Sequence, residues 1–166
     1  LKRGFSTIFG AYVKNPKQFG VLDLDSDNNI ISISEKPDKP KSNLVVSGIY
    51  FYTNNALEMA NNLSYSKRNE LEISDLNNLY IKKNKLKLEK LGHDIKWLDT
   101  GTFNSLIKAS YFFNEIEKIE GKKVACVEEI AYRMNYINRN QFIKISNSMS
   151  NSSYGKYLKN IVNNES

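Results

Sequence analysis

Leu44-Val45-Val46-Ser47-Gly48-Ile49-Tyr50-Phe51-Tyr52 is the stretch on which the fold class turns. Side chains alternate across an extended strand, so Leu44, Val46, Gly48, Tyr50 and Tyr52 share one face. Val45, Ser47, Ile49 and Phe51 share the other. Both faces are largely apolar, which predicts a central strand. Gly48 has two readings at this level, a backbone left open to close approach or a bulge in the ladder, and alone it favours the bulge.

Working outward, residues 5–13 read as another strand. Residues 19–24 and 30–33 flank Asp25-Ser26-Asp27-Asn28-Asn29, a cluster suited to a tight turn, which predicts a hairpin. Pro37 and Pro40 remove backbone donors and predict an extended loop before the central strand. Beyond it, Thr53 and Asn54 are candidate N-caps. Ala56, Leu57, Met59, Ala60 and Leu63 recur at helical spacing, as do Ile73, Leu76, Leu79 and Tyr80. Leucine alternates with charge over 86–91, and 95–98 is a short apolar run read as a strand. A long helix carries Phe103, Leu106, Ile107, Phe113, Ile116 and Ile119 and stops near Gly121. Helical patterns follow over 128–134, 141–146 and 154–162. The order predicts an α/β sheet layer over residues 1–121 and a helical tail over 122–166.

The chain has 166 residues, 40% of them hydrophobic, enough for one domain or part of one with a sizeable core. Its net charge of +6 comes from scattered lysines, with no basic run and no basic-aromatic patch, which argues against nucleic acid as a partner. No apolar stretch approaches the roughly 18 residues of a membrane span, and no signal pattern opens the sequence. A single cysteine, Cys126, excludes an internal disulfide and fits a reducing compartment, so a cytoplasmic protein is expected. Cys126 and His93 read as a small buried thiol and a surface-loop imidazole. The start at Leu1, directly before a strand, suggests an excerpt of a longer fold.

Five segments matter together: Phe19-Gly20-Val21-Leu22, Ser34-Glu35-Lys36-Pro37, Val46-Ser47-Gly48-Ile49-Tyr50-Phe51-Tyr52, Arg68-Asn69-Glu70-Leu71-Glu72-Ile73-Ser74-Asp75, and Trp97-Leu98-Asp99-Thr100-Gly101-Thr102. In this order and spacing the sequence resembles the sugar-nucleotidyltransferases. Lys123-Val124-Ala125-Cys126-Val127-Glu128-Glu129-Ile130-Ala131-Tyr132-Arg133 narrows the resemblance to the glucose-1-phosphate thymidylyltransferases. It implies part of a Rossmann-like nucleotide-diphospho-sugar transferase fold with a mixed sheet. The implied reaction joins glucose 1-phosphate to dTTP, giving dTDP-glucose and diphosphate for dTDP-rhamnose and polysaccharide synthesis, in a homotetramer.

The resemblance also implies roles. Gly20, Glu35, Val46 and Tyr50 match sugar-contacting positions, where a carboxylate can accept bonds from hydroxyls. Lys36 and Arg68 match phosphate-binding positions, where fixed cations suit a phosphate. Asp99 matches a ligand of the catalytic Mg²⁺, a cation that takes one or two carboxylates and keeps its waters. Val124, Ala125, Glu129, Ile130 and Arg133 match a secondary nucleotide site at a subunit interface. Taken one by one, these residues have plainer readings: Lys36 and Arg68 as solvated cations, Asp99 as a helix cap, Glu129 and Arg133 as an i,i+4 pair, Trp97 as packing.

Five positions depart from the family pattern: Phe19 for Tyr, Ser34 for Glu, Asn69 for Gly, Phe103 for His and Val127 for Pro. None removes a charged ligand. No Gly-rich G-x-G-x-R-L-x-P loop, thymine-reading residues or second metal-binding Asp can be matched in the sequence, so these 166 residues alone are expected to be inactive. Base specificity stays open, and a related nucleotidyltransferase or a noncatalytic sugar-phosphate-binding fragment are the alternatives.

Overall fold

The computed structural model describes residues 4–92 and 94–164; His93 lies outside the described residues. Two compact units divide the chain, Leu1–Trp97 and Leu98–Ser166. The long helix groups with the tail, and Glu117 near its end pairs with Lys123 at 2.8 Å.

The first unit is a five-stranded mixed sheet: β1 (Ser6–Tyr12), β2 (Gly20–Leu24), β3 (Ile30–Glu35), β4 (Leu44–Phe51) and β5 (Leu86–Lys90), in the order β3-β2-β4-β1-β5. β4 occupies the middle position, as its two apolar faces require. It pairs antiparallel with β1, and β1 pairs parallel with β5. The register shifts between Ile8 opposite Tyr50 and Gly10 opposite Val46. Three residues of β4 thus face one of β1. Gly48 sits inside this bulge at φ +86, a left-handed backbone that glycine takes without a Cβ clash. Two extra residues preserve parity, so Val46 and Tyr50 keep to one face.

The hairpin forms as expected. Asp25 closes its turn by accepting from the backbone N–H of Asp27 (2.9 Å) and Asn29 (2.8 Å). The bonds from Asn29 hold its carboxyl below the usual carboxylate range. Ile8, Leu22, Ile33, Leu44 and Val46 form the core on one sheet face, with Tyr50, Ile81 and Leu88 against it.

Helices α1 (Ala56–Asn61) and α2 (Ile73–Lys82) follow β4. Thr53 and Asn54 do not cap α1: the N-cap is Asn55, with no side-chain cap bond, while the Thr53 hydroxyl donates to Asn55 Oδ1 at 2.6 Å. Residues 95–98 form no strand. Trp97 is held there by its indole N–H, which donates to the Ser47 carbonyl at 2.9 Å.

The second unit holds α3 (Phe103–Glu120), α4 (Val127–Arg133), α5 (Arg139–Ser148) and α6 (Ser153–Asn164). Cys126, Phe142 and Leu158 form its core. Gly155 lets α6 approach the end of α5, since a Cβ there would lie 1.9 Å from the Met149 carbonyl oxygen. No helix among the described residues is long and apolar enough to cross a membrane.

Edge strand β3 is covered by one side chain. The Asn78 amide accepts from Ile33 N–H at 2.9 Å and donates to Ile33 C=O at 2.8 Å, copying a strand neighbour. Asn78→Ala strands both groups. Thermal or urea unfolding is expected to show a loss of about 1–3 kcal/mol, with more aggregation from the uncovered edge. Gly155→Ala forces the α5–α6 junction apart; overpacking of this kind costs about 1–3 kcal/mol or more, and circular dichroism melts of the variant will show it.

Candidate functional site

Glu35 ends β3, and its ladder partner is Gly20, the first residue of β2. Ser74, in the first turn of α2, donates its hydroxyl to Glu35 Oε2 at 2.5 Å. Gly20 is buried beside that bond. A Cβ at position 20 would stand 3.0 Å from Ser74 Oγ and 3.3 Å from Glu35 Oε2, so a side chain would crowd the pair.

Tyr50 is half-buried, and burial first, then the charge of Glu35, raises its phenol above the ordinary tyrosine value. Its ring stacks on Tyr52, 5.6 Å between centroids, and Tyr52 stacks on Tyr80, also at 5.6 Å. Tyr52 donates to Asn77 Oδ1 at 2.8 Å and is pushed up further, by burial above all. These hydroxyls stay neutral at physiological pH. Val46 is buried in the core cluster that Tyr50 packs against.

Gly20 and Glu35 therefore adjoin, with Tyr50 within the field of the carboxylate. Lys36 follows at the strand end with φ +41, its N–H donating to the Phe19 carbonyl at 3.0 Å and its side chain exposed. Phe19, which departs from the family's Tyr, packs edge-on against Trp97 with centroids 5.5 Å apart.

Arg68 lies on the loop that leads into α2. Its Nε is 3.6 Å from Glu72 Oε1, and its terminal nitrogen pairs with Glu70. The loop is drawn together by Ser66. The Ser66 hydroxyl donates to Glu72 Oε1 at 2.8 Å and accepts from Arg68 N–H at 3.1 Å. Asn69 takes φ +60, which explains why glycine suits that position and why Asn, tolerant of the left-handed region, can replace it.

Asp99 belongs to the second unit. It is half-buried, and its Oδ2 accepts from Gly101 N–H at 3.3 Å. It does not cap α3; Thr102 does, through a reciprocal capping box with Ser105. Gly101 leaves the carboxylate room, since a Cβ would sit 3.4 Å from both of its oxygens. No group of three or more metal-ligating side chains occurs among the described residues. One accessible carboxylate oxygen fits a cation that takes water and substrate phosphate for its other ligands, and does not fit one needing an all-protein cage.

In the tail, Glu129 and Arg133 pair at 2.7 Å, and Tyr157 donates to the same Glu129 carboxylate. Both line a cleft of about 360 Å³ with Glu120, Lys122 and Asn160. Val124, Ala125 and Ile130 are exposed and lie outside that lining, Ala125 at φ +55.

Sequence reasoning missed Ser74 and Glu72 as site residues. Their neighbours in the chain suggest only a helix start, and the bond from Ser74 reaches a residue 39 positions away.

Comparison with known proteins shows what the chain is similar to. The chain is 42% identical over 153 residues to a glucose-1-phosphate thymidylyltransferase of Neisseria meningitidis, covering 92% of this chain and 53% of that protein. It is 40% identical over 158 residues to one from Mycolicibacterium smegmatis, covering 95% and 55%. The chain thus spans about half the length of the curated relatives it matches. A Bacillus anthracis crystal structure, assigned as a glucose-1-phosphate thymidylyltransferase and solved with sucrose, superposes with a TM-score of 0.59 at 35% identity, over 66% of this chain and 44% of that one. Residues 2–116 match the family model described as nucleotidyl transferase. The chain belongs to the nucleotidyl transferase family.

Proposed function

We propose that this chain supplies the sugar-phosphate half of a glucose-1-phosphate thymidylyltransferase. The observation that carries the reading is the convergence of Gly20, Glu35 and Ser74 at one end of the sheet, with Tyr50 beside them. Gly20, Glu35 and Tyr50 are among the positions at which the family resemblance puts sugar contacts, and Ser74 supports Glu35. Relatives at 40–42% identity that bear this activity's name support the choice of substrates, glucose 1-phosphate and dTTP.

Glu35 is the group suited to a sugar hydroxyl. Ser74 occupies one of its oxygens and fixes the carboxylate plane, leaving the other oxygen to accept from the ring. Val46 and Tyr50 form an apolar and aromatic wall, against which the faces of a pyranose can rest. Lys36 and Arg68 offer positive charge to the phosphate, as positioning groups rather than proton donors, so that a phosphate oxygen stays nucleophilic. That oxygen attacks the α-phosphorus of dTTP; dTDP-glucose forms and diphosphate leaves, with no protein nucleophile.

Asp99 is the residue we assign to Mg²⁺, which when bound would neutralise charge on the phosphates. All of these residues fall within 1–121, the part we assign to substrate and metal. For residues 122–166 we propose a regulatory and interface role. Glu129 and Arg133 in their cleft would hold a secondary nucleotide, with Val124, Ala125 and Ile130 at the contact between subunits of a cytoplasmic homotetramer.

Two measurements test the reading. Calorimetry with the 166-residue chain is expected to show glucose 1-phosphate binding that weakens about tenfold or more in Glu35→Gln and in Arg68→Ala, each of which removes a charge-assisted bond. Wild-type binding that ignores both substitutions would sink it. Diphosphate release from dTTP and glucose 1-phosphate by the same chain is expected to stay at background, because its sequence holds no Gly-rich phosphate loop to grip the nucleotide.

A further inference from the structure

The first turn of α2 begins with two polar side chains that are almost completely buried, Glu72 (8% exposed) and Ser74 (2%). Neither serves the helix it starts. Glu72 is the N-cap residue of α2 yet makes no side-chain cap bond. Its carboxylate turns back to the preceding loop, to Ser66 Oγ at 2.8 Å and Arg68 Nε at 3.6 Å. The hydroxyl of Ser74 goes to Glu35 on β3. Burying a carboxylate is costly without such partners, so two buried polar groups whose bonds all lead toward proposed ligand-binding residues call for an explanation beyond helix capping.

We propose that Glu72 and Ser74 are positioning residues forming one bracket that sets the spacing between sugar recognition and phosphate recognition. Ser74 fixes the oxygen pair of Glu35. Glu72 fixes Arg68 twice, through the guanidinium directly and through Ser66, whose hydroxyl takes the Arg68 backbone N–H at 3.1 Å. Both anchors rise from one rigid helical turn, so the carboxylate and the guanidinium cannot drift independently. A ligand with both a pyranose and a phosphate is thereby favoured over one with phosphate alone. The inference rests on the sugar-phosphate reading above, and it assigns different jobs to two residues two positions apart.

Calorimetry on the full chain with two probes, glucose 1-phosphate and inorganic phosphate, separates those jobs. Ser74→Ala is expected to weaken glucose 1-phosphate about tenfold and inorganic phosphate by less than about twofold, because only the sugar carboxylate loses its donor. Ser74→Thr, which keeps the hydroxyl, restores binding. Glu72→Gln is expected to weaken both probes by the same factor, about tenfold, because it loosens the guanidinium. If Ser74→Ala does not fold, Ser74→Cys, of similar shape with a weak donor, must give the same split between probes.

Equal loss of both probes in a folded Ser74 variant would mean general disturbance and would overturn the bracket. So would binding that responds to Glu35→Gln but not to Ser74→Ala. A wild-type chain that binds neither probe overturns the sugar-phosphate reading, and this inference with it.

Discussion

Glu35 is a carboxylate held half-buried at the end of an edge strand, and the arrangement of the first unit follows from keeping it supplied with a donor. The donor must come from outside the sheet, because the ladder on that side ends at Gly20. It comes from α2, which anchors to β3 through two polar side chains: Ser74 to the Glu35 side chain and Asn78, by two bonds, to the Ile33 backbone. On the helix these anchors are one turn apart, spanning about 6 Å. On the strand they are two residues apart, about 6.6 Å. The two spacings are nearly commensurate, and the pairs run in opposite directions, so α2 lies antiparallel along β3 with little freedom to slide. A slip of one residue on the helix would break both anchors.

The neighbouring wall is tied to the same helix. Tyr50, Tyr52 and Tyr80 form a continuous stack that runs from β4 to α2, tied by Tyr52 to Asn77 on the same helix. Burial keeps all of the stack's shifted phenols in the neutral form, so the wall offers ring faces and hydroxyl donors without adding charge next to Glu35. A phenolate there would repel the neighbouring carboxylate. The aromatic wall and the single carboxylate are compatible for that reason.

Much of this was legible in the sequence because it is written in local periodicity. The two apolar faces of residues 44–52 placed β4 centrally, and the Asp25–Asn29 cluster located the hairpin. Helical spacing found α2 and the tail helices. What stayed hidden depends on pairing across the chain. A donor for Glu35 lies 39 residues on, and a cover for the β3 edge 45 residues on. The run at 95–98 looked like a strand because Ile95, Trp97 and Leu98 are hydrophobic. In the fold, one indole N–H to the Ser47 carbonyl takes the place of a ladder. The candidate site was readable as residue types at familiar spacings, through resemblance. Its supporting shell was not, since Ser74 and Glu72 read locally as an ordinary helix start.

The proposed sugar residues and phosphate residues differ in a way that their chemistry demands. Gly20 and Val46 are buried, and Glu35 and Tyr50 half-buried, whereas Lys36 and Arg68 are exposed. Distinguishing one hydroxyl pattern from another needs short, directional bonds, and these discriminate only where water cannot substitute for the ligand. Holding a phosphate needs charge, which acts over several ångströms and tolerates solvent. The exposed cations can therefore sit on a strand end and a loop, provided something fixes their reach. For Lys36 that is the backbone bond to Phe19 at a left-handed φ; for Arg68 it is Glu72. In the proposed site, selectivity would thus reside in the buried part of the unit and attraction in the solvated part, with the first turn of α2 joining the two.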